Sequence, residues 1–357
     1  MVRRMSKSID NWKDIIYPPP LKKGDLIGVT APSSGVPKKF HPRLELVLEH
    51  LEKRGFKYVE GKYLRSDHKG ISADARNRAK DFMNLWNNPD VKAIIPPWGG
   101  ELLINILPLL DFDIVRKKST KWILGYSDTS TLLFSLTLLS GVASAHGMNL
   151  MDSVLEQKDG LSERTFNVLA TREGNSITQE SSIRHQVKFE DFTQNVKATF
   201  NLTHKTFWKS LFNKDNDQFS GRIIGGCLDT IKHLIGAKYG DLPQFISKFN
   251  KDKVILYLEN AGLNPSEVCR SLWNMKLAGW FNGLSGVLLG RSAGVDVKSQ
   301  NEFSYKDALL DVFVGVNFPV IYDCDIGHLP PQMTIINGSM AHVEFSGGKG
   351  KLIQKFC

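Results

Sequence analysis

The chain has 357 residues, enough for two domains of ordinary size, with 41% hydrophobic and 23% charged residues, the balance of a globular protein. Its net charge of +9 is spread along the chain with no long basic block, which argues against a nucleic acid polymer as partner. Four scattered cysteines (Cys227, Cys269, Cys324, Cys357) form no C-x-x-C pair and no zinc spacing, so neither a disulfide framework nor a metal centre is expected.

The segment Met1 to Pro20 is basic, but Asp10, Lys13 and Asp14 interrupt any signal-like apolar run. No apolar stretch is long enough to span a bilayer, so a cytoplasmic protein without a membrane partner is expected. Asp25 to Thr30 reads as a buried strand, and Lys39 to Lys53 as an amphipathic helix through Leu44, Val47, Leu48 and Leu51. Lys57 to Glu60 is a short strand, Ala73 to Asn87 a second helix, and Val91 to Pro96 a strand closed by Trp98-Gly99-Gly100. The apolar run Trp122 to Leu124 then enters Gly125-Tyr126-Ser127-Asp128-Thr129-Ser130, followed by a helical run from Thr131 to Leu139. Strands alternating with helices imply a parallel sheet covered on both faces, with ligands at the strands' carboxyl ends. Ser33, Gly99, Gly100 and Ser127 all fall there.

From about Asp159 to Asp217 the chain turns polar and reads as a connector with short strands at Gln186 to Phe189 and Val196 to Leu202. A second alternating unit follows: Arg222 to Gly226, a helix from Leu228 to Ile235, a strand from Val254 ending at Glu259, and a helix from Pro265 to Ala278. Strands at Gly286 to Gly290 and Pro319 to Tyr322 flank a helix near Tyr305 to Val314. Strands around His342 to Phe345 and Leu352 to Phe356 close the chain.

A serine on a sharp strand-to-helix turn is exposed at the sheet edge, where free helix N–H groups can stabilise an oxyanion. A Ser or Asp helix cap gives the same pattern. A nucleophilic serine needs a base and an orienting carboxylate. Of nine histidines, His41, His50, His68, His185, His204 and His233 read as surface or capping residues, and His342 lies in a strand. His146, after a short strand, and His328, in a proline-stiffened loop, remain as bases. Glu259 ends an apolar strand, where an unpartnered charge is costly.

The Gly-Tyr-Ser-Asp-Thr-Ser turn, the upstream Gly99-Gly100, Arg222-Ile-Ile-Gly-Gly-x-Leu228, the strand ending in Glu259, and Gly327-His328-x-x-Pro331 occur in one order. Together they resemble the LD-carboxypeptidase family of serine peptidases, which includes muropeptide LD-carboxypeptidases and microcin C immunity peptidases. The resemblance runs from about Lys22 to the C-terminus. It implies an α/β protein: a Rossmann-like N-terminal domain over 1–165, a connector over 166–204, and a smaller, swivelling, β-rich α/β C-terminal domain over 205–357. It further implies Ser127 as nucleophile, His328 as general base, Glu259 as its orienter, and an oxyanion hole from the backbone N–H groups of Gly100 and Asp128. No cofactor is implied, and a homodimer is.

The expected substrate is a murein peptide cleaved at an L,D-type bond, or, as an alternative, a microcin-type peptidyl or aminoacyl adenylate. Trp98, Gly99, His146, Cys227, Trp208 and Arg291 are candidate substrate contacts, Trp208 as a stacking platform and Arg291 as a carboxylate clamp. Cys227 stands where many relatives have Asn, and Trp98 and Glu101 also depart from the family pattern. A nucleotide- or sugar-binding module with Ser127 as phosphate ligand is the non-enzymatic alternative. No G-x-G-x-x-G or Walker sequence supports it.

Overall fold

A computed structural model describes residues 12–117, 120–188, 191–297, 299 and 301–357. Residues 1–11, and with them most of the basic N-terminal segment, lie outside the described residues. The first unit carries β1 (Leu26–Val29), α1 (His41–Lys53), β2 (Lys57–Glu60), α2 (Ala75–Asn87), β3 (Val91–Ile94), α3 (Phe112–Lys117), β4 (Trp122–Gly125), α4 (Thr129–Ser140), β5 (Ser144–His146) and α5 (Thr165–Leu169). Next come β6 (Ser176–Glu180), β7 (Arg184–His185), β8 (His204–Lys205), β9 (Lys209–Ser210), β10 (Asn216–Cys227), α6 (Leu228–Ile231), α7 (Leu242–Lys248), β11 (Val254–Glu259) and α8 (Pro265–Leu277). The chain ends with β12 (Leu284–Gly290), α9 (Tyr305–Phe313), β13 (Val320–Cys324), β14 (Ile335–Asn337), β15 (Met340–Ser346) and β16 (Lys349–Lys355).

The first sheet has the order β14-β5-β4-β3-β1-β2, with β1 to β5 parallel and β14 antiparallel to β5. The second has the order β6-β16-β15-β10-β11-β12-β13-β9, with β10 to β13 parallel and antiparallel strands on both sides. In the first sheet the order reverses between β3 and β1, and the crevice at their carboxyl ends is where doubly wound sheets bind ligands.

Two strands depart from the sequence reading. Strand β14 belongs to the late part of the chain yet completes the first sheet, and β6 lies within the expected connector yet pairs with β16. Asn337 ties the two sheets: its Nδ2 donates to Ser144 Oγ at 3.2 Å, while its Oδ1 accepts from Gly225 N at 3.1 Å and Tyr257 Oη at 3.0 Å. The expected strand Val196 to Leu202 is irregular, and so are Gln186 to Lys188 of the other one, whose Phe189 lies outside the described residues. The helix expected over Leu228 to Ile235 is α only to Ile231 and continues as a 3-10 turn over Lys232–Leu234.

Helix α4 is packed all round, which its uncharged sequence TSTLLFSLTLLS permits. Two of its hydroxyls are satisfied locally: Thr137 Oγ1 donates to Val142 O at 2.9 Å, and Ser140 Oγ to Leu136 O at 2.7 Å. Where β10 crosses α4, a Cβ on Gly226 would lie 2.8 Å from Ser130 Cβ, so glycine sets the approach of the second sheet to this helix. No helix of the described residues is long and apolar enough to cross a membrane.

Candidate active site

The four residues of β4 are buried, and the chain leaves them through Ser127 at φ 61°, in the left-handed region that a residue with a Cβ rarely adopts. Such a conformation costs about 1–3 kcal/mol and persists only where its surroundings enforce it. Here Thr129 N bonds Tyr126 O at 3.2 Å and Ser130 N bonds Ser127 O at 2.8 Å, so α4 begins directly after the serine. A Cβ on Gly125 would lie 2.9 Å from Thr129 Cγ2 and 3.0 Å from Asn149 Oδ1, which explains the glycine before the turn.

The Asp128 carboxylate accepts from Ser33 Oγ at 2.5 Å and Leu103 N at 2.9 Å, fastening the loops after β1 and β3 around the serine. A Cβ on Gly99 would lie 2.8 Å from Asp128 N and 3.0 Å from Ser127 Oγ. Gly100, at φ 148°, faces Ser33 and Ser34, whose hydroxyls would be 2.3 Å from its Cβ. Gly99 therefore keeps open the space in front of the Asp128 N–H, and Gly100 lets the loop pass Ser33 and Ser34. Trp98 braces this loop: its Nε1 donates to Ser34 O and Gly35 O at 3.2 Å each, and its ring meets Phe40 edge-on.

Glu259 and His328 arrive from the second sheet. The Glu259 side chain is 0% exposed, His328 is 17% exposed, and His328 Nδ1 lies 2.7 Å from Glu259 Oε2. Gly327, at φ 92°, passes so close that a Cβ there would be 2.4 Å from Oε2. The His328 ring packs edge-on against Tyr126, the neighbour of Ser127, with centroids 4.8 Å apart. Burial pushes the Glu259 carboxyl up, but the charge and hydrogen bond of His328 outweigh it and hold the group below its ordinary value. Burial pulls His328 down, and the Glu259 charge and hydrogen bond outweigh that, raising the imidazole. Glu259 Oε1 is buried with no nitrogen or oxygen donor among the described residues.

Cys227 is paired in register with Glu259 on the neighbouring strand. Its thiol, pushed well up by burial and then by the Glu259 and Asp229 charges, lies 3.7 Å from Asp229 Oδ2. Asp229 accepts from Ala261 N and Gly262 N at 2.9 Å each and so fixes the turn after Glu259.

Of the two histidines open in the sequence, only His328 is bonded to a carboxylate. His146 is fully buried, so it is not a substrate contact. Its Nδ1 is 3.4 Å from Ser130 Oγ, and burial drives the ring down to about 4, neutral at physiological pH. His50, read as a surface or capping residue, is also buried, and its Nδ1 accepts from Leu155 N at 3.0 Å.

Two further expectations need correction. Arg291 is no clamp: its guanidinium is consumed by Asp325 Oδ1 at 2.8 Å, by Leu329 O at 3.0 and 2.7 Å, and by Pro331 O at 2.7 Å. Trp208 is no stacking platform, since it is buried on Gly350 with Nε1 donating to Asp325 Oδ2 at 2.8 Å. Phe207 beside it is 56% exposed, against Gly348 of the β15–β16 turn.

Sequence reasoning missed Asp152. Burial pushes its carboxyl up to about 6, against the Arg43 charge and hydrogen bonds from Asn149 N and the Tyr126 hydroxyl. With Tyr126, Phe192, Phe200, Pro330 and Gln332 it lines a small cleft that reaches the residue next to Ser127. An aspartate in a 3-10 turn carries no sequence signal of such a position.

Residues 27–147 match the LD-carboxypeptidase N-terminal domain and residues 220–343 the LD-carboxypeptidase C-terminal domain. The protein is accordingly a serine-type carboxypeptidase. More narrowly, the chain belongs to the LD-carboxypeptidase family. It is 26% identical over 340 residues to the microcin C7 self-immunity protein MccF of Escherichia coli, covering 94% of this chain and 95% of that one. It is 23% identical over 326 residues to the probable murein peptide carboxypeptidase of Bacillus subtilis, covering 91% and 90%. A solved structure of MccF in complex with aspartyl sulfamoyl adenosine shares the fold, with a TM-score of 0.81 at 24% identity over 96% of this chain and 99% of that one.

Proposed function

We propose that Ser127, His328 and Glu259 form a catalytic triad that hydrolyses the terminal L,D-type bond of a murein peptide through an acyl-enzyme. The observation that carries the reading is the 2.7 Å His328–Glu259 bond, on a ring packed against the residue preceding a left-handed serine. With Nδ1 held by Glu259, the tautomer leaves Nε2 free to take the Ser127 Oγ proton as the serine attacks the carbonyl carbon. The tetrahedral oxyanion is met by the backbone N–H groups of Gly100 and Asp128. The imidazolium, stabilised by the buried Glu259 charge, then protonates the leaving amine. Water, deprotonated by the same Nε2, releases the acyl group and restores the serine.

A second substrate reading, an aminoacyl or peptidyl adenylate, is favoured by the likeness to MccF. Incubating the protein and its Ser127→Ala variant with a murein tetrapeptide and with a peptidyl adenylate, and measuring free D-alanine and released aminoacyl-nucleotide, decides between them. D-alanine release by the parent, lost in Ser127→Ala, is expected; equal turnover by the variant refutes the triad.

A further inference from the structure

The triad's carboxylate has an unusual neighbour. Ligand atoms of Cys227, Glu259 and His328 all lie within 4.8 Å of one another, and Nδ1 is the imidazole nitrogen that faces the carboxylate. Glu259 Oε1 is a buried acceptor with no nitrogen or oxygen donor among the described residues, and the strand register puts the Cys227 thiol beside it, where thiol and carboxylate interact. Thiolate, imidazole and carboxylate are a ligand set for zinc-like ions, unsuited to magnesium or calcium. Tetrahedral zinc bonds of about 2.0–2.3 Å require ligand atoms roughly 3.3–3.8 Å apart. Shifts of about 1 Å in side-chain position reach that geometry. Half-buried Asp229, with Oδ2 3.7 Å from Sγ, adds negative charge on the approach.

We propose that Cys227, Glu259 and His328 form an inhibitory site for a thiophilic divalent cation, Zn²⁺ or Cd²⁺, which switches the hydrolase off by capturing Nδ1 of its base. The inhibition rests on the triad reading; the binding site does not. On binding, the thiol proton leaves to water, and the imidazole proton moves from Nδ1 to Nε2. Two negative ligands then balance the cation's two charges. A metal on Nδ1 thus leaves Nε2 protonated, with no lone pair to accept the Ser127 proton, while Glu259 turns from orienting the ring to holding the metal. This cation inhibits; it takes no part in turnover, so EDTA leaves the activity intact and reverses the inhibition.

The test uses the full chain freed of metal with EDTA. Titration with Cd²⁺ follows the ultraviolet sulfur-to-metal charge-transfer band, and hydrolysis is assayed in parallel. One Cys227-dependent Cd²⁺ per chain is expected, together with a loss of activity of about 100-fold or more at saturation that EDTA restores and Mg²⁺ does not mimic. Cys357→Ser controls for the exposed thiol and keeps the band. In Cys227→Ser and Cys227→Asn the band disappears and the remaining activity resists the cation. A band or an inhibition that survives both Cys227 substitutions overturns the site. A Cys227-dependent band with unimpaired hydrolysis overturns the switch and assigns the base to a residue other than His328, which separates failure of the inhibition from failure of the binding.

Discussion

Glu259→Gln is the substitution that isolates the electrostatic part of the proposed triad, because glutamine keeps the shape and can still accept from His328 Nδ1. What it removes is a full charge, buried and 2.7 Å from the ring nitrogen. With charge centres roughly 4 Å apart and an effective dielectric constant of about 20, the lost attraction for the imidazolium is about 4 kcal/mol at most. The retained hydrogen bond and local relaxation reduce this to about 2–4 kcal/mol of transition-state stabilisation, a fall in kcat/KM of about 30- to 1000-fold. The pH profile gives an independent sign. Glu259 raises His328, so the acid limb of kcat/KM in the parent should lie above the ordinary histidine value of about 6.5. Once the charge is gone, burial is opposed only by the Asp229 and Asp152 charges, and the limb should move down. The assay is kcat/KM for the better of the two substrates between pH 5 and 9. A variant within threefold of the parent, or an acid limb that does not move down, refutes the assignment of Glu259 as the partner of the base.

Two further expectations concern stability. Trp208→Ala should destabilise the fold by about 3–5 kcal/mol in urea unfolding, by emptying a core site and leaving Asp325 without one donor. The folded fraction should lose turnover of both substrates alike; selective loss of the adenylate would restore the stacking role. Asp152→Asn should stabilise the protein at pH 7.5 and not at pH 4. A carboxyl raised to about 6 disfavours the ionised form in the folded state, a penalty absent in acid and growing as pH rises through the folded value. The shift of about 2 units corresponds to at most about 3 kcal/mol, reduced by partial exposure. Equal effects at both pH values in urea unfolding would contradict it.

The alternation of strands and helices was readable because each element carries its own apolar pattern, and the turn at Ser127 because a glycine and a run of small residues mark it. Glu259 was readable for a similar reason, as a charge ending a wholly apolar strand. Arg291 and Trp208 misled because sequence shows a side chain's chemistry but not its saturation; both are bonded to Asp325, and Arg291 to backbone carbonyls as well. Strand β14 was invisible: three residues paired at long range have no periodicity to detect. Asp152 was hidden because its altered ionisation comes from burial supplied by distant parts of the chain.

The crossing of β14 into the first sheet also sets a timetable. The edge of β5 stays unpaired until roughly 190 residues later, when Ile335–Asn337 emerges. At about 5–20 residues per second that is a wait on the order of 10–40 s on the ribosome, with an open strand edge that invites wrong partners. His328 and Asn337 emerge close together, so the first sheet closes and the proposed base meets Glu259 at nearly the same time. The strained serine turn therefore spends its early life without its proposed base, and a chain stopped before His328 would carry Ser127 and Glu259 of the proposed triad but not the group proposed to activate the serine.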